Sequence, residues 1–248
     1  MVGKLRNPAL AAVCLATLAA VLATSTPAAA QGTAGIRISG AAKNKPFIVL
    51  MPGSGGAIPS HWAGVASAQG FAVVSVDVAS IFSGRSLLNV SEQEQVQTVG
   101  TALQAAQQAG LDMQRWAILG LSKGGTVALL SAGASRPAGT AQPSAVFAFY
   151  PGSVGWCPNS HGASTRVHIF YGDADGWGTH RGTRDACRRQ AGGNVAYHEY
   201  PGVHHGFDRG GAARTVTCCG TSWVDQGNPA ATAKARGVVA ATLRSVRR

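Results

Sequence analysis

The segment Gly120-Leu121-Ser122-Lys123-Gly124-Gly125 has the G-x-S-x-G spacing of a serine held on a tight turn between a strand and a helix. Such a turn leaves no room for side chains two positions either side of the serine, which accounts for the glycines at 120 and 124. It lifts the hydroxyl above the sheet at a helix N-terminus, where developing negative charge is favoured. A serine hydroxyl is a poor nucleophile without a base, and the base needs an acid to orient it. Both follow in chain order. Tyr171-Gly172-Asp173-Ala174-Asp175-Gly176-Trp177 carries two carboxylates, and Tyr200-Pro201-Gly202-Val203-His204-His205-Gly206-Phe207 carries two imidazoles. Adjacent side chains diverge, so only one of His204 and His205 can face Ser122. One of Asp173 and Asp175 can serve as a turn former. The residue types leave both choices open. An oxyanion would be held by the backbone N–H of Lys123 and by one from the loop Pro52-Gly53-Ser54-Gly55-Gly56, with Ser54 the candidate.

The elements that must carry these residues alternate along the chain. Apolar runs at Phe47–Met51, Phe71–Val76, Trp116–Leu121, Ala145–Tyr150, Val167–Tyr171 and Val195–Tyr200 read as strands covered on both faces. Ser91-Glu92-Gln93-Glu94 is a capping-box start for a helix reaching Gly110. Gly124–Ala134 reads as a short helix of small residues and Thr179–Ala191 as a basic one. Asn228 caps a last helix with Pro229 at its first position. This alternation predicts one domain, residues 31–248, with a doubly wound, mostly parallel α/β sheet. Acid and base candidates both fall just beyond strand ends, where open α/β sheets bind ligands. Only residues 151–165 separate the fourth and fifth runs, too few for a helical lid, so an open site is expected.

With these residues in place, the sequence resembles the α/β-hydrolase superfamily and, within it, the dienelactone hydrolase family, from about Phe47 to Phe207. The likeness rests on the Ser122 turn, on Tyr171-Gly172-Asp173-Ala174-Asp175 and on Tyr200–Phe207. It implies Asp175 as the acid, the last residue of a Gly-x-x-Asp pattern, and His205 as the base, directly before Gly-Phe. A glycine follows each of these two residues and would let the backbone turn sharply there. The resemblance implies cleavage of a small carboxylic ester or lactone through an acyl-enzyme, with no cofactor. The namesake enzymes use a cysteine nucleophile where this chain has Ser122. Gly-Leu-Ser-x-Gly-Gly also resembles secreted polyester depolymerases and feruloyl esterases.

Composition narrows the remaining classes. The chain has 248 residues, 46% hydrophobic and only 12% charged, with 33 glycines and no G-X-Y period, which excludes disorder and collagen. Lys4 and Arg6, the apolar stretch Ala9–Ala23 and Ala28-Ala29-Ala30 form an export signal over residues 1–30, with a mature start at Gln31. No membrane span is expected after cleavage, and periplasm or medium is the expected location. Cleavage lowers the formal charge from +11 to +9. The basic residues are scattered, apart from Arg181, Arg184, Arg188 and Arg189, and no nucleic-acid-binding signature accompanies them. Neither a Walker pattern nor G-x-G-x-x-G is present, which speaks against a nucleotide. The other histidines, His61, His161, His168, His180 and His198, read as structural rather than metal-binding. Cys157, Cys187, Cys218 and Cys219 remain after cleavage, an even number suited to disulfides, with Cys157 and Cys187 the expected pair.

Overall fold

A computed structural model describes residues 33–83, 85–133, 135–152, 157–158, 164–218 and 220–248. The export signal, and with it the division at residue 30, lies outside the described residues. Seven strands form one sheet: β1 (Ile36–Ser39), β2 (Phe47–Met51), β3 (Ala72–Val76), β4 (Trp116–Leu121), β5 (Ala145–Phe149), β6 (Arg166–Gly172) and β7 (Val195–Tyr200). Their spatial order is β1-β3-β2-β4-β5-β6-β7. All neighbours are parallel except β1, which runs antiparallel to β3 with Ile36 opposite Val76. Every residue of β2, β4 and β5 is buried, as continuous apolar runs require when helices cover both faces. β7 is different: at the sheet edge, Ala196, Tyr197 and His198 are only part buried and Glu199 is exposed.

The helices follow their local signals. Helix α1 (Ser60–Ala68) and the short α2 (Val78–Ile81) precede α3 (Glu92–Gln108), which opens on the expected capping box. There Glu94 N–H donates to Ser91 Oγ at 3.2 Å and Ser91 N–H to Glu94 Oε2 at 2.8 Å. Helix α4 (Lys123–Ala132) is buried along its whole length, and its small residues allow close approach to the sheet. Helix α5 (Gly178–Arg188) uses the basic cluster locally: Arg184 donates to the Asp173 carbonyl at 2.7 Å, and Arg188 pairs with Glu199. Helix α6 (Pro229–Arg247) is capped by Asn228, whose Oδ1 accepts from Ala231 N–H at 2.9 Å.

The chain moves outward from β2 to β3, then back across β2 to β4 and on to β7. The strand order therefore reverses between β2 and β4, and a crevice opens beyond their carboxyl ends. Ser122 follows β4, and the loop Pro52–Gly56 follows β2. β1 and a later hairpin lie outside the predicted apolar runs. After the base segment a separate hairpin forms from β8 (Arg214–Cys218) and β9 (Thr221–Asp225). Cys157 and Cys187 are joined by a disulfide, and Cys218 is disulfide-bonded too, while Cys219 lies outside the described residues. Among the described residues no helix is long and apolar enough to cross a membrane. The expectation of an open site depends on the segment 151–165, of which 153–156 and 159–163 lie outside the described residues.

Candidate active site

Ser122 sits at φ 52° and ψ −120°, a left-handed conformation that costs a non-glycine residue about 1–3 kcal/mol. The backbone around it is held from three directions. Its N–H donates to the Phe149 carbonyl of β5 at 2.9 Å, and its carbonyl accepts from Gly125 at 2.8 Å and Gly152 at 3.2 Å. The flanking glycines are obligatory. A Cβ on Gly120 would lie 2.0 Å from the Gly124 carbonyl oxygen, and one on Gly124 would lie 2.4 Å from that of Pro52. The strand-to-helix turn thus closes only with no side chain at either place.

The loop after β2 presses on the same point. A Cβ on Gly53 would come within 3.2 Å of Ser122 Cβ and 3.0 Å of the Leu121 carbonyl oxygen. Gly53 serves the approach of two protein backbones to each other. Among the described residues, neither the Ser54 nor the Lys123 backbone N–H is taken by a backbone carbonyl. The Lys123 ammonium points elsewhere, donating to the carbonyls of Leu87 at 3.0 Å and Leu88 at 3.3 Å, and burial lowers its pKa.

Acid and base segments are laced together by backbone hydrogen bonds. Asp173 N–H donates to Tyr200 and Ala174 N–H to Val203, each at 3.1 Å. Asp173 Oδ1 accepts from Gly202 N–H at 2.6 Å, and His204 Nδ1 meets the Ala174 carbonyl at 3.1 Å. Asp173 and His204 are thereby occupied with the loops themselves. The lacing brings the other two together, His205 Nδ1 lying 2.9 Å from Asp175 Oδ2. Asp175 is 2% exposed and His205 4%, so the pair is shielded from bulk water. Asp175 Oδ1 also accepts from Trp177 N–H at 3.3 Å. Gly206 has φ +68°, and a Cβ there would strike Asp225 Oδ1 at 2.0 Å. Gly176 is different, since a Cβ there would meet nothing closer than 3.9 Å. Gly176 is therefore not what brings Asp175 to His205; the lacing of the two loops is.

Several residues of the site were not singled out from sequence. Tyr150, at φ 36°, places its ring 4.5 Å from the His205 imidazole in an edge-on contact, and its hydroxyl donates to Asp208 Oδ1. Burial and the Asp208 charge push the Tyr150 pKa well up. Asp208 also accepts from Trp62 Nε1 at 2.6 Å, so α1, β5 and the base loop meet on one buried carboxylate. Because Phe149, the residue before Tyr150, receives the Ser122 N–H, the serine and the imidazole share one end of the sheet. Among the described residues no hydrogen bond joins Ser122 to His205, a gap common in unliganded sites that tightens when substrate binds. An acidic neighbour of the base was readable as Asp208 three residues after His205. Nothing local in the sequence marks Tyr150.

No family model matches the chain, and no curated protein matches it by sequence. Solved structures do match. The propionate-bound esterase Est2 of Thermogutta terrifontis superposes with a TM-score of 0.60 at 19% identity, covering 85% of this chain and 89% of the esterase. A Klebsiella pneumoniae protein assigned as a dienelactone hydrolase gives 0.60 at 16% identity over 84% and 91% of the two chains. The chain has an α/β-hydrolase fold. A dienelactone hydrolase-like promiscuous phosphotriesterase from metagenomic libraries gives 0.56 at 16% identity over 85% and 92%. Within this fold the Ser122 turn, the loop after β2 and the Asp175–His205 pair lie at the carboxyl ends of the strands.

Proposed function

We propose that this protein is an exported serine hydrolase that cleaves a small carboxylic ester or lactone through an acyl-enzyme. The observation that carries the reading is the buried 2.9 Å contact between Asp175 and His205 Nδ1, at the sheet end where Ser122 is held in its strained turn. Nδ1 is committed to the carboxylate, so Nε2 is the nitrogen able to take a proton from Ser122. Ser122 attacks the carbonyl carbon, and the oxygen gains charge against the N–H groups of Lys123 and Ser54. His205 returns the proton to the departing alcohol, leaving the acyl group on Ser122. Water, deprotonated by the same imidazole, attacks the acyl carbon, and the acid leaves as Ser122 regains its proton. Each step uses only side chains and backbone of this chain, and no cofactor takes part.

Kinship with esterases and dienelactone hydrolases of the same fold supports the reaction class. The Cys157–Cys187 disulfide fits an oxidising location such as periplasm or medium. The test is turnover of a panel of small esters and lactones by the protein and by Ser122→Ala. Hydrolysis that Ser122→Ala abolishes without unfolding is the expected result. Wild-type turnover by Ser122→Ala rejects the mechanism, and no turnover with an intact fold favours a binding protein on a hydrolase scaffold.

A further inference from the structure

Two tryptophans border the His205 imidazole on a part that reaches solvent. Trp177 and Trp223 stack on each other, with ring centroids 4.8 Å apart and planes inclined by 16°. Both stand edge-on to the imidazole, at 5.5 Å and 6.1 Å, and both are only part buried. Tyr150, on its own contact with the imidazole, is fully buried. The Trp177 backbone N–H donates to Asp175 Oδ1, so this tryptophan is anchored at the acid as well as beside the imidazole. Trp223 is carried on β9 of the extra hairpin. That hairpin is tied to the base by a backbone bridge between His205 and Asp225, with Gln226 N–H donating to the His205 carbonyl at 3.2 Å. The two tryptophan segments run side by side at Gly176, where a Cβ would make an ordinary contact with Trp223 Cβ at 3.9 Å. Among the described residues the buried Trp223 indole N–H meets no acceptor.

The position of these rings along the reaction gives them a role. His205 Nε2 must deliver its proton to the departing alcohol, so that alcohol stands beside the imidazole while the carbonyl oxygen faces the loop after β2. We propose that the Trp177–Trp223 pair is the leaving-group subsite, and that it selects esters of aromatic and arylalkyl alcohols. The inference rests on the ester-hydrolase reading above. An aromatic ring gains offset or edge contacts with the indoles beyond the area it buries, which a saturated ring of the same size does not.

The test compares kcat/KM of the oxidised protein on benzyl acetate and cyclohexylmethyl acetate, which share an acyl group and differ in the ring. Benzyl acetate is expected to be preferred by about fivefold, the size of one aromatic pair contact. Trp223→Leu should bring the ratio close to one, and Trp223→Phe should keep most of it. A purely structural role for Trp223 lowers both esters together and leaves the ratio intact. A wild-type ratio near one, or an unchanged ratio in folded Trp223→Leu, overturns the inference. If Trp223→Leu does not fold, product inhibition decides: benzyl alcohol must inhibit the wild-type protein more strongly than cyclohexylmethanol. Turnover without preference overturns this inference alone. No turnover of either ester, with no phosphonate label on Ser122, overturns it together with the hydrolase reading.

Discussion

His205 and His204 are neighbours in sequence with different work. His205 reaches a buried carboxylate through Nδ1, whereas His204 is spent on the Ala174 carbonyl. His205→Ala is expected to lower kcat by about 10²–10⁴-fold, as loss of a general base should, and His204→Ala by about tenfold or less. Steady-state kinetics with a thermal melt for each variant makes the check; an exchange of these effects in folded protein would reassign the base. Asp175→Asn should also cost orders of magnitude, because the imidazole loses the charge that fixes its tautomer. Asp173→Asn keeps an oxygen for Gly202 N–H and should act mainly on stability. The serine and its two glycines were legible in the sequence because a turn of that shape excludes side chains. The choice within each Asp and His pair was not legible from residue types, since it depends on backbone bonds between two loops 30 residues apart. The likeness to known hydrolases, together with the glycine after each residue, indicated Asp175 and His205. The positive φ of Gly206 fits that local argument, and the open space at Gly176 does not require it.

The elements that hold the site are tightest where β2, β4 and α4 meet. Gly124→Ala would drive a methyl group into the Met51 and Pro52 carbonyls, both on backbone that cannot swing away. A loss of about 1–3 kcal/mol or more is expected, together with a fall in kcat as the loop after β2 is pushed off Ser122. A melt and a rate measurement on the one variant decide it; an unchanged Tm means the two segments have more room than their geometry implies. The disulfide works on a longer scale, linking Cys157, in the segment after β5, to Cys187 on α5. Closing a 30-residue separation stabilises by about 3–4 kcal/mol in the chain-entropy model. Cys187→Ser should therefore lower Tm by about 6–16 °C for a domain of this size. The parallel strands were legible because burial on both faces demands unbroken apolar runs. β1 and the β8–β9 hairpin escaped that criterion: β1 is a four-residue edge strand, and the hairpin strands interrupt their few apolar residues with Thr, Ser, Arg and Asp. Ile36 and Ile38 of β1 still face the core, whereas no described residue of the hairpin but Asp225 is buried. The hairpin nonetheless brings Trp223 and Asp225 to the base.

At the scale of the whole molecule, acid should destabilise the fold through a histidine pair remote from Ser122. His168 on β6 and His198 on β7 share a 3.1 Å contact, and His168 also meets Thr242 of α6 at 3.1 Å. Burial, the neighbouring His198 and Arg166 lower the His168 pKa from 6.5 to about 4, and burial lowers that of His198. Between these values the unfolded chain binds a proton that the folded one refuses, so stability rises with pH across the window. Tm is expected to be level near pH 7–8 and to fall as pH drops from about 6.5 to 4. His168→Gln should flatten that fall; an equal fall in the variant would place the acid sensitivity elsewhere. The net positive charge has no such single address. The basic residues are scattered along the chain, and two arginines of α5 are engaged by the Asp173 carbonyl and Glu199.

The central claim, a nucleophilic Ser122 activated by His205, is tested most directly by reaction with a small fluorophosphonate followed by intact mass and peptide mapping. One adduct per chain is expected, on Ser122, formed by wild-type protein, lost in Ser122→Ala and slowed by orders of magnitude in His205→Ala. An adduct on another residue, or folded wild-type protein that takes up no label, would contradict it.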